Sequence, residues 1–511
     1  MIRLPRVGAA VGLAVAAACA RTPPRPNVLF IAVDDLRPAL GAYGDSVVKT
    51  PNIDRLARGG VTFLQAHAQQ AVCNPSRVSL MTGLRPDSTR VWDLETDFRT
   101  TVPDVVTLPQ LFVRHGYHAA VIGKIYHNII PDSLSWSEPE IKVPGFPYDP
   151  DAVYHHRDNV AIQEARKAAI IAAGQESRSI DQFGMWYLKA NATESVDLPD
   201  SVYYDGAQTN HAVRKLAELA AAKRPFFFGV GYYRPHLPFN APQKYWDLYD
   251  REAIPLATNP SVPAGAPVMA INSMRELRGY ADFAHVGHPF FDTLSVAEAR
   301  RLRHGYYASV SYVDAQIGRL LDQLDSLGLA ENTIVVLWGD HGYKLGEHNS
   351  WAKMTNYLID THSPLILRAP GRVPAGLRLE QMVEFVDVYP TLAELAGLEP
   401  PPHLQGVSAV PLFTNPARSW KTAAFSQFLR HGIWVGPDSL PYMGYSMRTD
   451  RYHYVTWINW NTKGVAATEL YDHVADPHET RNLATDPGMA LTIADLEQRR
   501  VAGWRSARPA P

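Results

Sequence analysis

Cysteine is scarce in this sequence: the 511 residues include two, Cys19 and Cys73. Cys19 falls in a segment that we predict to be an export signal, so Cys73 would have no disulfide partner in the exported chain. Disulfides are therefore excluded as a source of stability, although a mature chain of roughly 490 residues can bury a large core without them. A lone thiol of this kind is either chemically active or an ordinary small buried side chain.

The sequence also lacks an excess of charge of either sign and a second long apolar run. Its 49 basic and 51 acidic residues give a formal net charge of −2, which is untypical of nucleic-acid-binding proteins and of proteins with a polybasic membrane patch. Beyond the N-terminus, no apolar stretch is long enough to cross a bilayer. We therefore expect neither a nucleic-acid partner nor a transmembrane span.

The N-terminus has the pattern of an export signal. Arg3 and Arg6 precede an almost uncharged run that ends in small residues, which predicts a secretory signal at residues 1–20. Residues 16–19, Ala-Ala-Ala-Cys, resemble a bacterial lipoprotein box with alanine where leucine is usual. Either the chain is cleaved before Cys19 and lipidated there, or it is cleaved near Ala20. In both cases we expect the mature chain outside the cytoplasm, periplasmic or anchored to a membrane as a lipoprotein.

Short apolar runs alternate with helical patterns along most of the chain. This alternation predicts an α/β fold with a large, mostly parallel central sheet flanked by helices. The clearest strand candidates cover residues 27–33, 119–123, 226–231 and 333–338. Each is followed by charged or histidine residues, namely Asp34 and Asp35, Lys124 and His127, His236, and Asp340 and His341. Because ligands bind outside the carboxyl ends of the strands in such sheets, we predict that these side chains converge.

Two helices and two long loops are predicted between the strands. Apolar residues at helical spacing indicate helices at residues 309–327 and 383–398. Residues 131–198 and 254–295 are rich in proline or polar residues and are predicted to form long loops over the rim of the site.

We divide the exported chain into a catalytic domain at residues 21–415 and a smaller α+β subdomain at residues 416–511. The subdomain is predicted to carry an antiparallel sheet. Its predicted strands cover residues 443–449, 452–457 and 469–472, and its predicted helix covers residues 489–504.

Cys73 begins the motif Cys-Asn-Pro-Ser-Arg, in which proline follows the cysteine by two residues and arginine follows it by four. Pro75 suits the first turn of a helix and Gly83 suits its end, so Cys73 is predicted to lie at a helix N-terminus. Free N–H groups and the helix dipole favour an anion there. Arg77, one turn further on, could direct its guanidinium to the same place.

Asp34, Asp35 and Asp340 would bring three carboxylates together, which only a cation or protonation makes tolerable. Hard oxygen ligands favour Ca²⁺ or Mg²⁺ over zinc. Adjacent aspartates also cap turns and helices, so a purely structural role is the alternative.

Several longer segments, in the same order along the chain, carry a resemblance to a known family. They include NVLFIAVDDLRPALGAYG from Asn27, AQQAVCNPSRVSLMTGLRPD from Ala68, GYYRPHLPF from Gly231 and DHGYKLGEHNSWAK from Asp340. On these segments the chain resembles the type I sulfatases of the alkaline phosphatase superfamily, most closely the branch that acts on iduronate 2-sulfate. In that family the motif directs a maturation enzyme to oxidise the cysteine to formylglycine (3-oxoalanine). The resemblance therefore implies that Cys73 is the precursor of the catalytic group.

The resemblance also implies how the site works. One hydroxyl of the hydrated formylglycine would attack sulfur with loss of the alcohol, and the other would then expel sulfate. Lys124 and Lys353 would hold sulfate oxygens. His127 would take a proton as sulfate leaves, and His236 would protonate the leaving oxygen. One Ca²⁺ ion would be held by Asp34, Asp35, Asp340, His341 and the formylglycine at position 73.

The match is incomplete on the side where the sugar would bind. Tyr343 stands where the iduronate branch has tryptophan, and Asn349 and Ser350 replace a Gly-Glu pair. We expect a sulfuric ester hydrolase that acts on a sulfated oligosaccharide or polysaccharide. The sulfated sugar is expected to be 2-O-sulfated iduronate, or a related uronic acid, in a glycosaminoglycan-like glycan. Three alternatives stay open: a sulfatase for another polysaccharide, a phosphate or phosphonate ester hydrolase on the same scaffold, and a non-catalytic glycan-binding lipoprotein.

Overall fold

A computed structural model of the protein describes residues 25–128, 130–146, 149–175, 188–430 and 441–509. The predicted export signal and Cys19 lie outside the described residues. The described strands are β1 Asn27–Val33, β2 Val61–His67, β3 His118–Gly123, β4 Thr193–Val196, β5 Phe226–Tyr232, β6 Phe239–Pro242, β7 Thr333–Gly339, β8 Lys344–Leu345, β9 Trp351–Ala352, β10 Leu365–Arg368, β11 Leu377–Glu384, β12 Ala424–Arg430, β13 Tyr442–Arg448, β14 Tyr452–Asn459 and β15 Val465–Asp472. The described α-helices are Pro51–Arg58, Cys73–Thr82, Pro86–Thr89, Leu108–Arg114, Arg157–Ala172, Tyr204–Ala221, Gln243–Trp246, Arg275–Arg278, Val296–Ser326, Leu358–Thr361, Val388–Leu395, Val410–Thr414 and Ala490–Ala502.

Seven of the strands form one sheet in the order β11-β2-β10-β7-β1-β5-β3. β10 runs antiparallel to both of its neighbours, and the other pairings are parallel. Every residue of β1, β5 and β7 is buried, which explains why these strands are continuous apolar runs rather than alternating patterns. The predicted α/β class and the mostly parallel central sheet are confirmed.

Helices cover both faces of the sheet, and each face has its own hydrophobic core. Leu29 and Ile31 of β1 share one core with the long helix Val296–Ser326. Val28 and Phe30 belong to the other core, which includes residues of the Cys73–Thr82 helix. The alternation of side chains along β1 therefore serves both faces.

The long helix begins at Val296, earlier than the predicted residue 309. Ser295 and Glu298 form a capping box, in which each side chain bonds to the backbone N–H of the other residue. The apolar spacing that supported the prediction covers the second half of the helix. Its first turns are more polar, and the capping pair is the signal that marks their start.

The predicted helix at residues 383–398 was wrong at its beginning. Val383 and Glu384 end β11, a 3₁₀ turn covers Phe385–Asp387, and the α-helix covers only Val388–Leu395. A short apolar run fits a buried strand as well as a helix, and pairing with β2 decides for the strand here.

One of the two predicted long loops contains regular structure that was not predicted. Residues 131–198 include the helix Arg157–Ala172 and the strand β4, which pairs with β6. Residues 254–295 are largely irregular, and their longest α-helical piece among the described residues is the short helix Arg275–Arg278.

The C-terminal part carries a four-stranded antiparallel sheet in the order β12-β13-β14-β15. The predicted antiparallel sheet is confirmed, although β12 was not predicted. Leu496 of the Ala490–Ala502 helix packs in one core with Met447 and Tyr454 of the sheet. The division of the chain at residue 416 stays a prediction.

Among the described helices, none combines the length and apolar character that a membrane crossing requires.

Candidate active site

Charged side chains meet at the carboxyl ends of the central strands. Asp34 and Asp35 follow β1, Lys124 follows β3 and Asp340 follows β7, and all four are buried. A buried group of this kind is stable only if opposite charges are paired, so the pairing pattern defines the site.

Cys73 is the first residue of a completely buried helix, Cys73–Thr82. The helix ends at Gly83, which adopts a φ of 67°, a conformation that glycine reaches without steric cost. The Sγ atom of Cys73 lies 3.5 Å from Nε2 of His341. Burial, together with the negative charge of Asp34, raises the pKa of the Cys73 thiol well above its usual value. As a thiol, Cys73 is therefore a poor nucleophile.

Arg77 links two of the carboxylates. Its Nε donates to Oδ2 of Asp340 at 2.9 Å, and its Nη2 donates to Oδ1 of Asp34 at 3.0 Å. Its Nη1 donates to the backbone carbonyls of Lys124 and Ile125. These hydrogen bonds hold the carboxylates of Asp34 and Asp340 beside Cys73. That the guanidinium also acts at position 73 stays a prediction.

Each lysine of the site is paired with one of the adjacent aspartates. Lys124 donates to Oδ2 of Asp34, and Lys353 donates to Oδ2 of Asp35 at 2.8 Å. Burial alone would raise the pKa of Asp34, but Lys124 and Arg77 hold it well below its usual value. For Asp35 burial prevails over the charge of Lys353, and its pKa is raised. The charge of Asp35 is thus less well compensated than that of Asp34.

The donor set around Cys73 fits a metal ion. Two groups of ligand atoms, each within 4.8 Å of one another, share Sγ of Cys73: one adds Asp35 and His341, and the other adds Asp34 and Asp340. In the described part of the chain, Oδ1 of Asp35 is buried without a hydrogen-bond partner, and it lies 3.5 Å from Nε2 of His341.

The hydrogen bond made by Nδ1 of His341 explains why its Nε2 faces Oδ1 of Asp35. Nδ1 of His341 lies 2.9 Å from the carbonyl oxygen of Gly342. This contact selects the neutral tautomer in which Nδ1 carries the proton and Nε2 presents a lone pair. Two lone-pair atoms that face each other in a buried site suit a shared cation.

His236 lies among three carboxylates. Its Nε2 is 2.9 Å from Oε1 of Glu276, and its Nδ1 is 3.3 Å from Oδ2 of Asp151. Burial disfavours the charged ring, but Asp151, Asp35 and Glu276 outweigh it and raise the pKa of His236 to about 10. The imidazole is therefore protonated at neutral pH and can act as an acid.

His127 has the opposite protonation state. Its Nδ1 is buried and has no hydrogen-bond partner among the described residues. Burial, reinforced by the charge of Lys124, lowers the pKa of His127 to about 3. A neutral imidazole at this position can accept a proton. His236 and His127 are thus set apart by their surroundings, one as an acid and one as a base.

Comparison with known proteins identifies the family to which the chain belongs. A family model described as Sulfatase matches residues 26–398. The chain belongs to the sulfatase family. A second model, for the C-terminal part of N-sulphoglucosamine sulphohydrolase, matches residues 346–504. Together with relatives named as sulfatases, these matches identify the protein as a sulfuric ester hydrolase.

Relatives of known name cover nearly the whole sulfatase. Iduronate 2-sulfatase of Homo sapiens is 34% identical, and the match covers 90% of this chain and 91% of the human protein. A structure in complex with its substrate D-glucosamine-2-N,6-O-disulfate is 22% identical, with a TM-score of 0.70 over 95% of this chain and 99% of that chain. The phosphonate monoester hydrolase of Agrobacterium radiobacter is 24% identical, with a TM-score of 0.69 over 94% and 96%. The two solved structures establish a shared fold.

Sequence reasoning missed two carboxylates of the sulfatase site. Oε1 of Glu276 lies 2.9 Å from Nε2 of His236 and 3.0 Å from Nζ of Lys353. Asp151 contacts His236 and also accepts from Arg234 at 3.3 Å. Both carboxylates come from the segments predicted as long loops, where no periodic pattern or motif marks them.

The positions at which the chain departs from the iduronate branch have local roles in this sulfatase. Tyr343 is fully buried and stacks on Tyr306 with ring centroids 5.5 Å apart. Nδ2 of Asn349 donates to the carbonyls of Pro289 and Asp292. Tyr343 thus packs against the long helix Val296–Ser326, and Asn349 holds the segment that precedes that helix.

Proposed function

We propose that this sulfatase removes the 2-O-sulfate of iduronate, or of a related uronic acid, from a glycosaminoglycan-like glycan. The observation that carries the proposal is the match to human iduronate 2-sulfatase, which extends over nine-tenths of both chains. The carboxylates, lysines and histidines of the site all lie within residues 26–398, which the sulfatase family model matches.

Cys73 is proposed to act after oxidation to formylglycine by a maturation enzyme. The formylglycine hydrate supplies a hydroxyl nucleophile for sulfur and divides hydrolysis into two easier steps. Two features of the structure support this assignment. The position lies at the N-terminus of a buried helix, where developing negative charge is favoured, and the unmodified thiol is poorly ionised because burial raises its pKa.

The chain's own residues would bind the sulfate and move protons. Lys124 and Lys353 are proposed to hold sulfate oxygens, and Arg77 keeps Asp34 and Asp340 in place. Nε2 of His236, which is protonated near neutral pH, would donate to the oxygen of the leaving alcohol. His127, which is neutral, would accept a proton as sulfate departs.

We further propose that the metal ion is Ca²⁺. The ligands would be Asp34, Asp35, Asp340, His341 and the formylglycine at position 73. A donor set dominated by carboxylates suits a hard cation. When bound, the ion supplies positive charge next to the sulfate and to the nucleophile.

Exhaustive chelation is expected to abolish turnover of an aryl sulfate, and added Ca²⁺ is expected to restore it. The temperature of thermal unfolding should fall with chelation and return with Ca²⁺, because an ion that binds only the folded chain stabilises it. Activity that survives chelation, or that only a transition metal restores, would contradict the calcium assignment.

Replacement of Lys353 by alanine is expected to lower kcat/KM for an aryl sulfate by about 100-fold, the effect typical of one lost donor to a developing charge. Inorganic sulfate should also inhibit the variant more weakly, because product and substrate use the same contact. Lys244→Ala is the matched control, since Lys244 forms a surface ion pair with Asp200. An unchanged kcat/KM would remove Lys353 from the sulfate site.

The sugar can be identified with defined sulfated oligosaccharides. Preferential release of sulfate from a 2-O-sulfated uronic acid is expected. Faster release from another sulfated sugar would support a different polysaccharide, and faster hydrolysis of an aryl phosphate than of the matched aryl sulfate would support a phosphate or phosphonate ester hydrolase.

The maturation of Cys73 can be tested by mass spectrometry of the peptide covering residues 59–77 from the native protein. An aldehyde in place of the thiol is expected. A peptide that carries only the thiol, in a protein that still binds glycans, would favour the non-catalytic lipoprotein.

We also propose export from the cytoplasm, with a lipid on Cys19 or cleavage near Ala20 as the two routes. Fractionation of cells that produce the full chain, with Cys19→Ser as the second sample, separates them. A lipid anchor predicts that the substitution releases the protein from the membrane fraction, whereas simple cleavage predicts no change.

A further inference from the structure

The backbone on both sides of Lys353 is strained. Ala352 has a φ of 71° and Met354 has a φ of 78°, in the left-handed region that residues with a side chain rarely adopt. Such conformations persist only where the surroundings impose them. The contacts of Ala352, Lys353 and Met354 therefore determine the position of the Lys353 backbone, from which its side chain extends.

Two side chains hold this strained backbone through its carbonyl groups. Nδ2 of Asn272 donates to the carbonyls of Trp351, at 3.3 Å, and Lys353. Nη2 of Arg430 donates to the carbonyl of Met354 at 2.7 Å. Asn272 lies in the irregular segment that also supplies Glu276, whereas Arg430 ends β12 of the C-terminal sheet.

Arg430 is unusual among the charged residues near the site. Its side chain is almost completely buried, and its guanidinium lies 4.6 Å from the ring centroid of Phe428. Within the described ranges no carboxylate forms an ion pair with it, and its hydrogen bonds go to the carbonyls of Met269 and Met354. Burial therefore lowers the pKa of Arg430 to about 10. A buried cation with this pattern of partners is suited to holding backbone rather than to balancing charge.

The same sheet also contacts the residues that follow Met354. Nδ2 of Asn356 donates to the carbonyl of Gly444 at 3.1 Å. The backbone N–H of Leu358 donates to Oε2 of Glu479 at 2.9 Å. The first of these contacts comes from β13, and the second comes from Glu479 in the loop that follows β15. The C-terminal part of the chain therefore contacts the segment after Lys353 at several points.

We propose that Arg430 is a positioning residue for Lys353, through which the C-terminal sheet sets the place of a sulfate-binding group in the catalytic domain. The inference rests on the role proposed above for Lys353. Arg430 itself makes no contact with the sulfate in this scheme. Its hydrogen bond to Met354, with the bonds from Asn272, keeps Nζ of Lys353 between Asp35 and Glu276.

Arg430→Met tests the proposal, because methionine keeps an unbranched apolar stem and removes the donors. With 4-nitrophenyl sulfate, kcat/KM is expected to fall by about 10- to 100-fold, since a small misplacement of a binding group has effects of this size. In a Lys353→Ala background, Arg430→Met is expected to cause less than about a twofold further loss, as for residues that act as one unit. Arg451→Met is the matched control, because Arg451 belongs to the C-terminal part but forms a surface pair with Asp472.

A merely structural role for Arg430 gives a different pattern. Loss of folded enzyme lowers activity by the same factor in both backgrounds, and this outcome overturns the proposal, as does an unchanged kcat/KM in the single variant. If Lys353→Ala alone has no effect, the proposed role of Lys353 fails and the inference fails with it. Should Arg430→Met not fold, Asn272→Ala is the second variant. Asn272→Ala is expected to lower kcat/KM in the wild-type background and to have little further effect in the Lys353→Ala background. A fall in kcat/KM by the same factor in both backgrounds would again overturn the proposal.

Discussion

Replacement of Cys73 by alanine is expected to abolish sulfate-ester turnover and to leave the chain folded. Removal of a covalent nucleophile lowers kcat by a factor on the order of 10⁴ or more. The structural cost is small, because Sγ is the only heavy atom removed and Cys73 forms no disulfide. The loss of one buried atom of this size costs about 1 kcal/mol of the free energy of unfolding.

The measurement is kcat/KM for an aryl sulfate, together with thermal unfolding of both proteins. Ser79→Ala is the matched control on the same helix. Its Oγ is buried and has no hydrogen-bond partner among the described residues, so alanine removes no bond and activity should stay within about twofold. A Cys73→Ala enzyme that keeps appreciable activity would contradict the formylglycine scheme.

The sequence predicted the parts of the site that lie at strand ends. Asp34, Lys124 and Asp340 each follow a continuous apolar run, and buried parallel strands produce such runs because both of their faces are covered. The topology then brings the strand ends together. The prediction needed only the type of each strand and the residue after it, and it did not need the order of the strands in the sheet.

The pairing of the charges could not be predicted in this way. The sequence indicated three carboxylates next to a cation site, but not that Lys124 is paired with Asp34 and Lys353 with Asp35. Pairings of this kind depend on side-chain positions that only the tertiary structure sets. Glu276 was not predicted for a related reason, since it lies in a one-turn helix within a largely irregular segment, and one turn is too short to show a periodic pattern.

The strand β12 was also not predicted, because its tertiary contacts remove the local sequence pattern of a strand. Its residues Ala424–Arg430 mix apolar and polar side chains, and they contact both the neighbouring strand β13 and the strands β2 and β11 of the central sheet. The backbone N–H of Gln427 also donates to the carbonyl of Gln69 at 2.8 Å. Burial on two sides by different partners removes the simple alternation that marks a half-exposed strand.

Arg77→Met is expected to have the largest effect on stability. The guanidinium and both of its carboxylate partners are fully buried, and removal of one member of a buried ion pair costs about 3–5 kcal/mol because the other charge stays buried without compensation. Turnover should be lost as well, since Asp34 and Asp340 would no longer be held beside Cys73.

Urea unfolding in the presence of a chelator measures this cost without a contribution from bound metal. Arg55→Met is the matched control: Arg55 pairs with Asp322 at 2.7 Å, but the side chains are 40% and 66% exposed, and such surface pairs contribute about 0–1 kcal/mol. Addition of Asp340→Asn to Arg77→Met should recover part of the lost stability, because it removes one of the two uncompensated charges. A loss in Arg77→Met no larger than in Arg55→Met would mean that Asp34 and Asp340 are neutralised by other groups, Lys124 first among them, and that Arg77 does not organise the site.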